Sequence, residues 1–201
     1  MSAQDLLLGY DAREDWISFE SSWSTERRQR FLLRQDVEKP LSVDSDVWPS
    51  VFELLPDLRR PDWTGYVQDL WDNFQALVET LKSTVPTESV NLRFIAIELI
   101  ASLCSDAELT EWRDRVKEVI PPRLDQLPRK LAGYDVADFF LLSGLTNCEV
   151  PARPDPSRWA PLLNRHHLFL DPASAFEFKT EVDARVPEHA PFFVFSLWLI
   201  E

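Results

Sequence analysis

Val90-Asn91-Leu92-Arg93-Phe94-Ile95-Ala96-Ile97-Glu98-Leu99-Ile100-Ala101-Ser102-Leu103-Cys104 is the stretch on which the fold class turns. Its apolar residues fall nearly all round a helical wheel, the pattern of a helix enclosed on every side. With Thr87 after Pro86 as its cap, the stretch becomes the central buried helix of a mainly α protein. Its β-branched residues leave a buried strand as the alternative, because such side chains suit a pleated surface.

Upstream, Asp62 to Leu81 places Trp63, Tyr66, Val67, Leu70, Trp71, Phe74, Leu77, Val78 and Leu81 at offsets of three or four, which predicts an amphipathic helix packed on the central one. Asp62 follows Pro61 and can cap the first amides, and Val85-Pro86 ends the segment because the residue before proline is driven out of helical geometry. Asp69, Asp72 and Glu79 lie on the solvent face of this helix, where only Lys82 is spaced to answer any of them. The result is an exposed carboxylate stripe.

Working outward, Leu6 to Tyr10 reads as a short strand or docking arm, and Ser24-Thr25-Glu26 offers a cap before a helix over Arg27 to Val37. Prolines break residues 38–61 and 146–157 into connecting loops. Ser105-Asp106-Ala107-Glu108 matches a capping box, opening a helix with Leu109, Trp112, Val116 and Ile120 on one face and a Glu111 to Arg115 pair outside. Asp135 is placed to cap a short helix running through Phe140 and Leu145. Trp159, Leu162 and Leu163 form a further short helix, and His167 to Leu170 a possible strand. Asp171-Pro172 is an N-cap and first-turn pair for a helix burying Ala175, Phe178, Val182 and Val186. Phe192 to Ile200, rich in aromatic and β-branched residues, suits a buried terminal strand. The expected fold is one mainly α domain over residues 1–201, a bundle-like and otherwise all-α core with at most a small C-terminal β element; α+β is the alternative.

The chain has 201 residues, 45% of them hydrophobic, enough for one full core without staples. Its 34 acidic and 21 basic residues give a net charge of -13. That field repels phosphate backbones and anionic membranes and favours a basic protein partner. Arg27, Arg28, Arg30 and Arg34 form the one basic cluster, better explained as a solvated helix face than as a nucleic-acid patch. Met1 to Asp5 has no basic leader and no apolar run reaches spanning length, so the expected compartment is the cytoplasm. Cys104 and Cys148 stand alone in sequence, which fits a reducing compartment and gives no zinc pattern.

Reaction chemistry is sparse. Four scattered glycines provide no phosphate-cradling loop. His166 and His167 are adjacent, so their side chains diverge and do not easily share a metal. Cys148 with either of them could form a thiolate and base pair, which keeps a small hydrolase as one alternative and a scaffold subunit as another. Trp48, between Asp44 and Asp46 and Asp57, is an aromatic among acids on a loop, the composition of a protein-binding hot spot. Taken together, the residues predict no enzyme, no cofactor and no metal, and a partner-binding surface of Asp69, Asp72 and Glu79, with Asp44, Asp46 and Trp48 as a second group.

The segments Leu131-Ala132-Gly133-Tyr134-Asp135-Val136-Ala137-Asp138 and Leu142-Ser143-Gly144-Leu145-Thr146-Asn147-Cys148 resemble stretches of bacterial immunity proteins from polymorphic toxin systems of the Rhs and contact-dependent inhibition kind. The resemblance implies a cytoplasmic protein that neutralises a cognate toxin domain by covering its active site. These families share no fixed functional residues, so it implies none here.

Overall fold

Leu92–Leu99 is a strand, β2, and not part of a central helix. In the computed structural model, which describes residues 4–14, 32–34, 37, 41–44, 70–84, 92–116, 123–145 and 154–201, β2 lies inside a four-stranded antiparallel sheet. The other strands are β1 (Leu6–Glu14), β3 (Arg129–Ala137) and β4 (Phe193–Ile200), in the spatial order β1-β2-β4-β3. The helices of the described residues are α1 (Phe74–Thr84), α2 (Asp106–Arg115), α3 (Pro156–Trp159) and α4 (Pro172–Arg185). The fold is therefore α+β, and the expectation of a mainly α or all-α bundle is corrected.

Double-sided burial explains that error. Phe94 and Ala96 of β2 pack with Leu77 and Leu81 of α1, while Ile95, Ile97 and Leu99 pack on the other face with Trp112 of α2 and Phe193, Phe195 and Leu197 of β4. A strand covered on both faces loses the alternation that marks a half-buried one, and its apolar run then looks the same as that of an enclosed helix. The terminal stretch was legible, because β4 follows the expected Phe192 to Ile200 run almost residue for residue.

The helix expected over Asp62 to Leu81 begins later. Trp71 is extended and exchanges two backbone hydrogen bonds with Tyr10 of β1, at 2.8 and 2.7 Å, so it stands outside the helix. Asn73 then caps α1, its Oδ1 accepting from the N–H groups of Gln75 and Ala76. The helix ends at Thr84, just ahead of Val85-Pro86. Asp62 to Asp69 lie outside the described residues, as does most of the Arg27 to Val37 segment.

Local signals held best where side chains close their own turns. Ser105 and Glu108 form the reciprocal capping box of α2, and Arg115 meets Glu111 at 2.8 Å. Asp171 caps α4 through the Ser174 N–H with Pro172 in the first turn. α4 buries Ala175, Phe178 and Val182 against Val136, Val194, Trp159 and Phe169. Asp135, expected to cap a short helix, is instead an interior residue of β3.

Both outer strands carry a bulge glycine at positive φ, Gly9 at 152° and Gly133 at 148°. A Cβ on Gly9 would lie 2.8 Å from the Trp71 carbonyl oxygen, and one on Gly133 2.7 Å from Leu168 Cβ and 2.9 Å from the Phe169 oxygen. Each glycine thus admits a neighbouring segment that its own backbone could not otherwise approach. Gly9→Ala and Gly133→Ala should each lower unfolding free energy by more than about 1 kcal/mol, through strain and displaced backbone together. Urea midpoints that stay in place would show that the bulges tolerate a side chain and that these segments do not dock as described.

Candidate functional site

Three groups of polar side chains stand out in this frame, and the sheet places each of them. The first surrounds Asp135, which is fully buried in β3. Its Oδ2 accepts from Ser42 Oγ at 2.6 Å and the Val43 N–H at 3.0 Å, and its Oδ1 from Ser143 Oγ at 2.7 Å and the Val136 N–H at 2.8 Å. Burial pushes this carboxyl above its ordinary range, against the pull of those four bonds. Asp44 belongs to the same group, accepting from the Ser143 N–H at 3.1 Å. All the acceptor sites face inward, so this network pins residues 41–44 and 143–145 to β3 and presents nothing to solvent.

The second group closes the turn after β3. Asp138 is 1% exposed. Its Oδ1 accepts from the N–H groups of Phe140 at 2.8 Å and Leu142 at 3.0 Å. Its Oδ2 lies 3.0 Å from Nδ1 of His189, whose side chain is 35% exposed. Leu141 takes a positive φ of 61° within this turn, and Phe140 beside it is thrown outward to 75% exposure. An Asp beneath Nδ1 of a half-exposed His fixes the ring orientation and leaves Nε2 turned away from that bond.

The third group lines a half-open cleft of about 590 Å³. Its walls come from the start of β1 with Asp5, from Glu98 near the end of β2, from Arg113 in the last turn of α2, and from the Arg123 to Arg129 segment. Glu98 shares its sheet face with Ser196 and Trp198, whose side chains hydrogen-bond its carboxyl. Burial first, and the charge of Asp5 after it, hold Glu98 above the usual carboxylate range, while Arg129 pulls the other way. Arg129 packs its guanidinium over the Trp198 ring, 4.9 Å from the centroid, and donates to the Leu124 carbonyl.

The expected partner-binding residues fall unevenly on this surface. Glu79 is exposed on α1 and Asp72 is half-buried just before it. Asp44 is only 2% exposed and bonded inward, so it does not belong to an outward acidic patch. Asp46, Trp48, Asp69 and Cys148 lie outside the described residues. His166 and His167 are both buried, and Nε2 of His167 accepts from the Leu33 N–H at 2.9 Å, an internal contact rather than a pairing with a nucleophile. Among the described residues, no group of three or more His, Cys, Asp or Glu side chains could hold a metal ion, and no helix is long and apolar enough to cross a membrane. Sequence reasoning missed Asp138 with His189, and Glu98. A signal for Glu98 was present, since one carboxylate sits within the apolar run Phe94 to Leu103; none linked residues 138 and 189, which only the fold brings together.

Tyr10 reports on the field in this region. Burial, with the charges of Glu98 and Asp125, pushes its phenol from 10.0 up to about 12. A folded value above the unfolded one contributes stability that is complete below pH 10 and is lost as the pH rises through about 12. Urea midpoints of the parent chain should therefore fall more steeply over that window than those of Tyr10→Phe. Parallel pH profiles for the two chains would show that Tyr10 ionises freely.

Compared with protein families, curated proteins and solved structures, the chain shows no match to any.

Proposed function

We propose that this protein is an inhibitor that works by binding, a cytoplasmic immunity protein that covers the active site of a basic toxin domain made by the same cell. Phe140 carries the proposal. A phenyl ring left 75% exposed at the tip of a turn braced by a buried carboxylate is a rigid apolar anchor, and such anchors supply a disproportionate share of binding energy at protein interfaces. The net charge of -13 supports it by steering a basic partner toward the surface, with Asp72 and Glu79 contributing to the field. Preorganisation matters because a fixed turn loses little entropy when the partner docks. Phe140→Ala should weaken binding to a toxin domain encoded beside this protein by roughly thirtyfold, the hot-spot threshold of about 2 kcal/mol, with thermal stability almost unchanged. Unchanged affinity would move the interface elsewhere, and absence of any binding to the neighbouring toxin would remove the function.

A small hydrolase is the second reading, favoured by the Asp138 and His189 pair. A carboxylate on Nδ1 is the arrangement that orients a histidine for proton transfer at Nε2, and Cys148 is the nucleophile this reading assigns. His189→Ala and Cys148→Ala should then each abolish hydrolysis of p-nitrophenyl acetate by a chain whose circular dichroism is unaltered. Turnover that survives either change, or is absent from the parent chain, rules the reading out.

A further inference from the structure

The charges lining the half-open cleft are sorted by sign and by depth. Glu98 is half-buried at the floor, held by Ser196 and Trp198, with Asp5 close enough to act on it electrostatically and Asp125 close enough to act on neighbouring Tyr10. Arg129 is the one guanidinium that acts on Glu98, and part of it is committed to the Leu124 carbonyl and the Trp198 ring. Three carboxylates against one guanidinium leave the floor negative. Arg113 and Arg123, both exposed, supply positive charge at the rim. Arg113 forms no ion pair among the described residues.

An anion alone would have to approach Asp5, Glu98 and Asp125, and a cation alone would have to pass Arg113 and Arg123. A molecule carrying both charges, separated, meets neither objection. Size then selects among zwitterions. A cleft of about 590 Å³ is roughly 8 Å across if its dimensions are similar, and falls in the range of small-molecule sites. In a single amino acid the nitrogen and carboxyl carbon are roughly 2.5 Å apart, too close to serve floor and rim together. Two extended residues span roughly 7 Å, which matches.

We infer that this cleft is a binding site for a dipeptide with free termini, its ammonium group on Glu98 and Asp5 and its carboxylate on Arg113 and Arg123. A desolvated carboxylate gains when a cation replaces the water it has lost, and exposed guanidinium groups grip a carboxylate through paired N–H donors. The Glu98 floor sets the direction in which the peptide enters, amino end first.

Isothermal titration of the intact chain with a small panel of neutral dipeptides led by L-alanyl-L-alanine tests the site. Saturable binding is expected, at least tenfold weaker when the amino end is acetylated or the carboxyl end amidated, and at least tenfold weaker for free L-alanine. Glu98→Gln and Arg113→Ala should each weaken it at least tenfold with the circular dichroism spectrum retained. Glu98→Gln matches the neutral carboxyl in shape, and if it nonetheless fails to fold, the exposed Arg113 variant decides alone. No saturable heat from any panel member at millimolar concentration, blocked peptides that bind as well as free ones, or binding that survives both substitutions would each overturn the inference. L-alanine binding as tightly as the dipeptides would overturn the two-ended geometry. The experiment uses no toxin, so its outcome is separate from that of the inhibitor proposal.

Discussion

The antiparallel pairing of β2 with β4, from Phe94 opposite Ile200 to Leu99 opposite Phe195, sets a hydrogen-bonded backbone between two apolar layers. Neither strand meets water along its length, so their main-chain polar groups must be satisfied by neighbouring strands. β1 and β3 provide that on either side, and they in turn become the edges. An edge with open N–H and C=O groups is a template for unwanted pairing. Here each is met by a short bridging segment, Trp71 on Tyr10 of β1 and Phe169 on Tyr134 of β3, through two reciprocal hydrogen bonds apiece. The bulge glycines are what allow those segments to come so near. Both ends of the sheet therefore solve one problem in the same way, and the segments before α1 and α4 owe their course to it.

Polar side chains inside such a frame survive only by being answered. Asp11 and Arg13, two residues apart on β1, form an ion pair at 2.8 Å with both side chains almost fully buried. Asp135 is answered by four donors that reach it from three stretches of chain. Removing one partner from a group of this kind leaves a desolvated atom, which is why buried networks fix register and loop position more firmly than they add stability. Glu98 differs. Its partners are two neutral side chains, and its surroundings stay more negative than positive, so its environment is completed from the open side of the cleft.

What the sequence disclosed follows the range of the interactions involved. Capping contacts at Ser105, Asp155 and Asp171 span only a few residues, and the first and last of them could be placed from spacing alone. The α1 boundary could not, because the extended course at Trp71 is dictated by Tyr10, far away in the chain. β2 was mistaken for a helix because burial on two faces erases the period that separates the two structures, and the strand alternative rested on Ile95 and Ile97. Asp135 looked like a cap because a lone Asp after Gly133 has that composition. In fact the glycine serves a bulge, and the carboxylate serves Ser42 and Ser143. Of the six residues first assigned to partner binding, Asp44 turned out to be structural for the same reason: its partner, the Ser143 N–H, is distant in sequence.

The three histidines divide along this line. His166 and His167 are enclosed, and the Leu33 contact gives His167 an internal task. His189 has no comparable duty, because the Asp138 turn is closed by Oδ1 alone through Phe140 and Leu142, and the Leu141 N–H adds a bond to the Asp138 carbonyl at 3.1 Å. Oδ2 is left over for the imidazole. Since the turn would hold its shape without that ring, the demands of the fold do not account for a half-exposed histidine at this place. Its position beside the outward Phe140 ties it to whatever approaches that turn, as a brace against a docked protein or as a base facing a substrate.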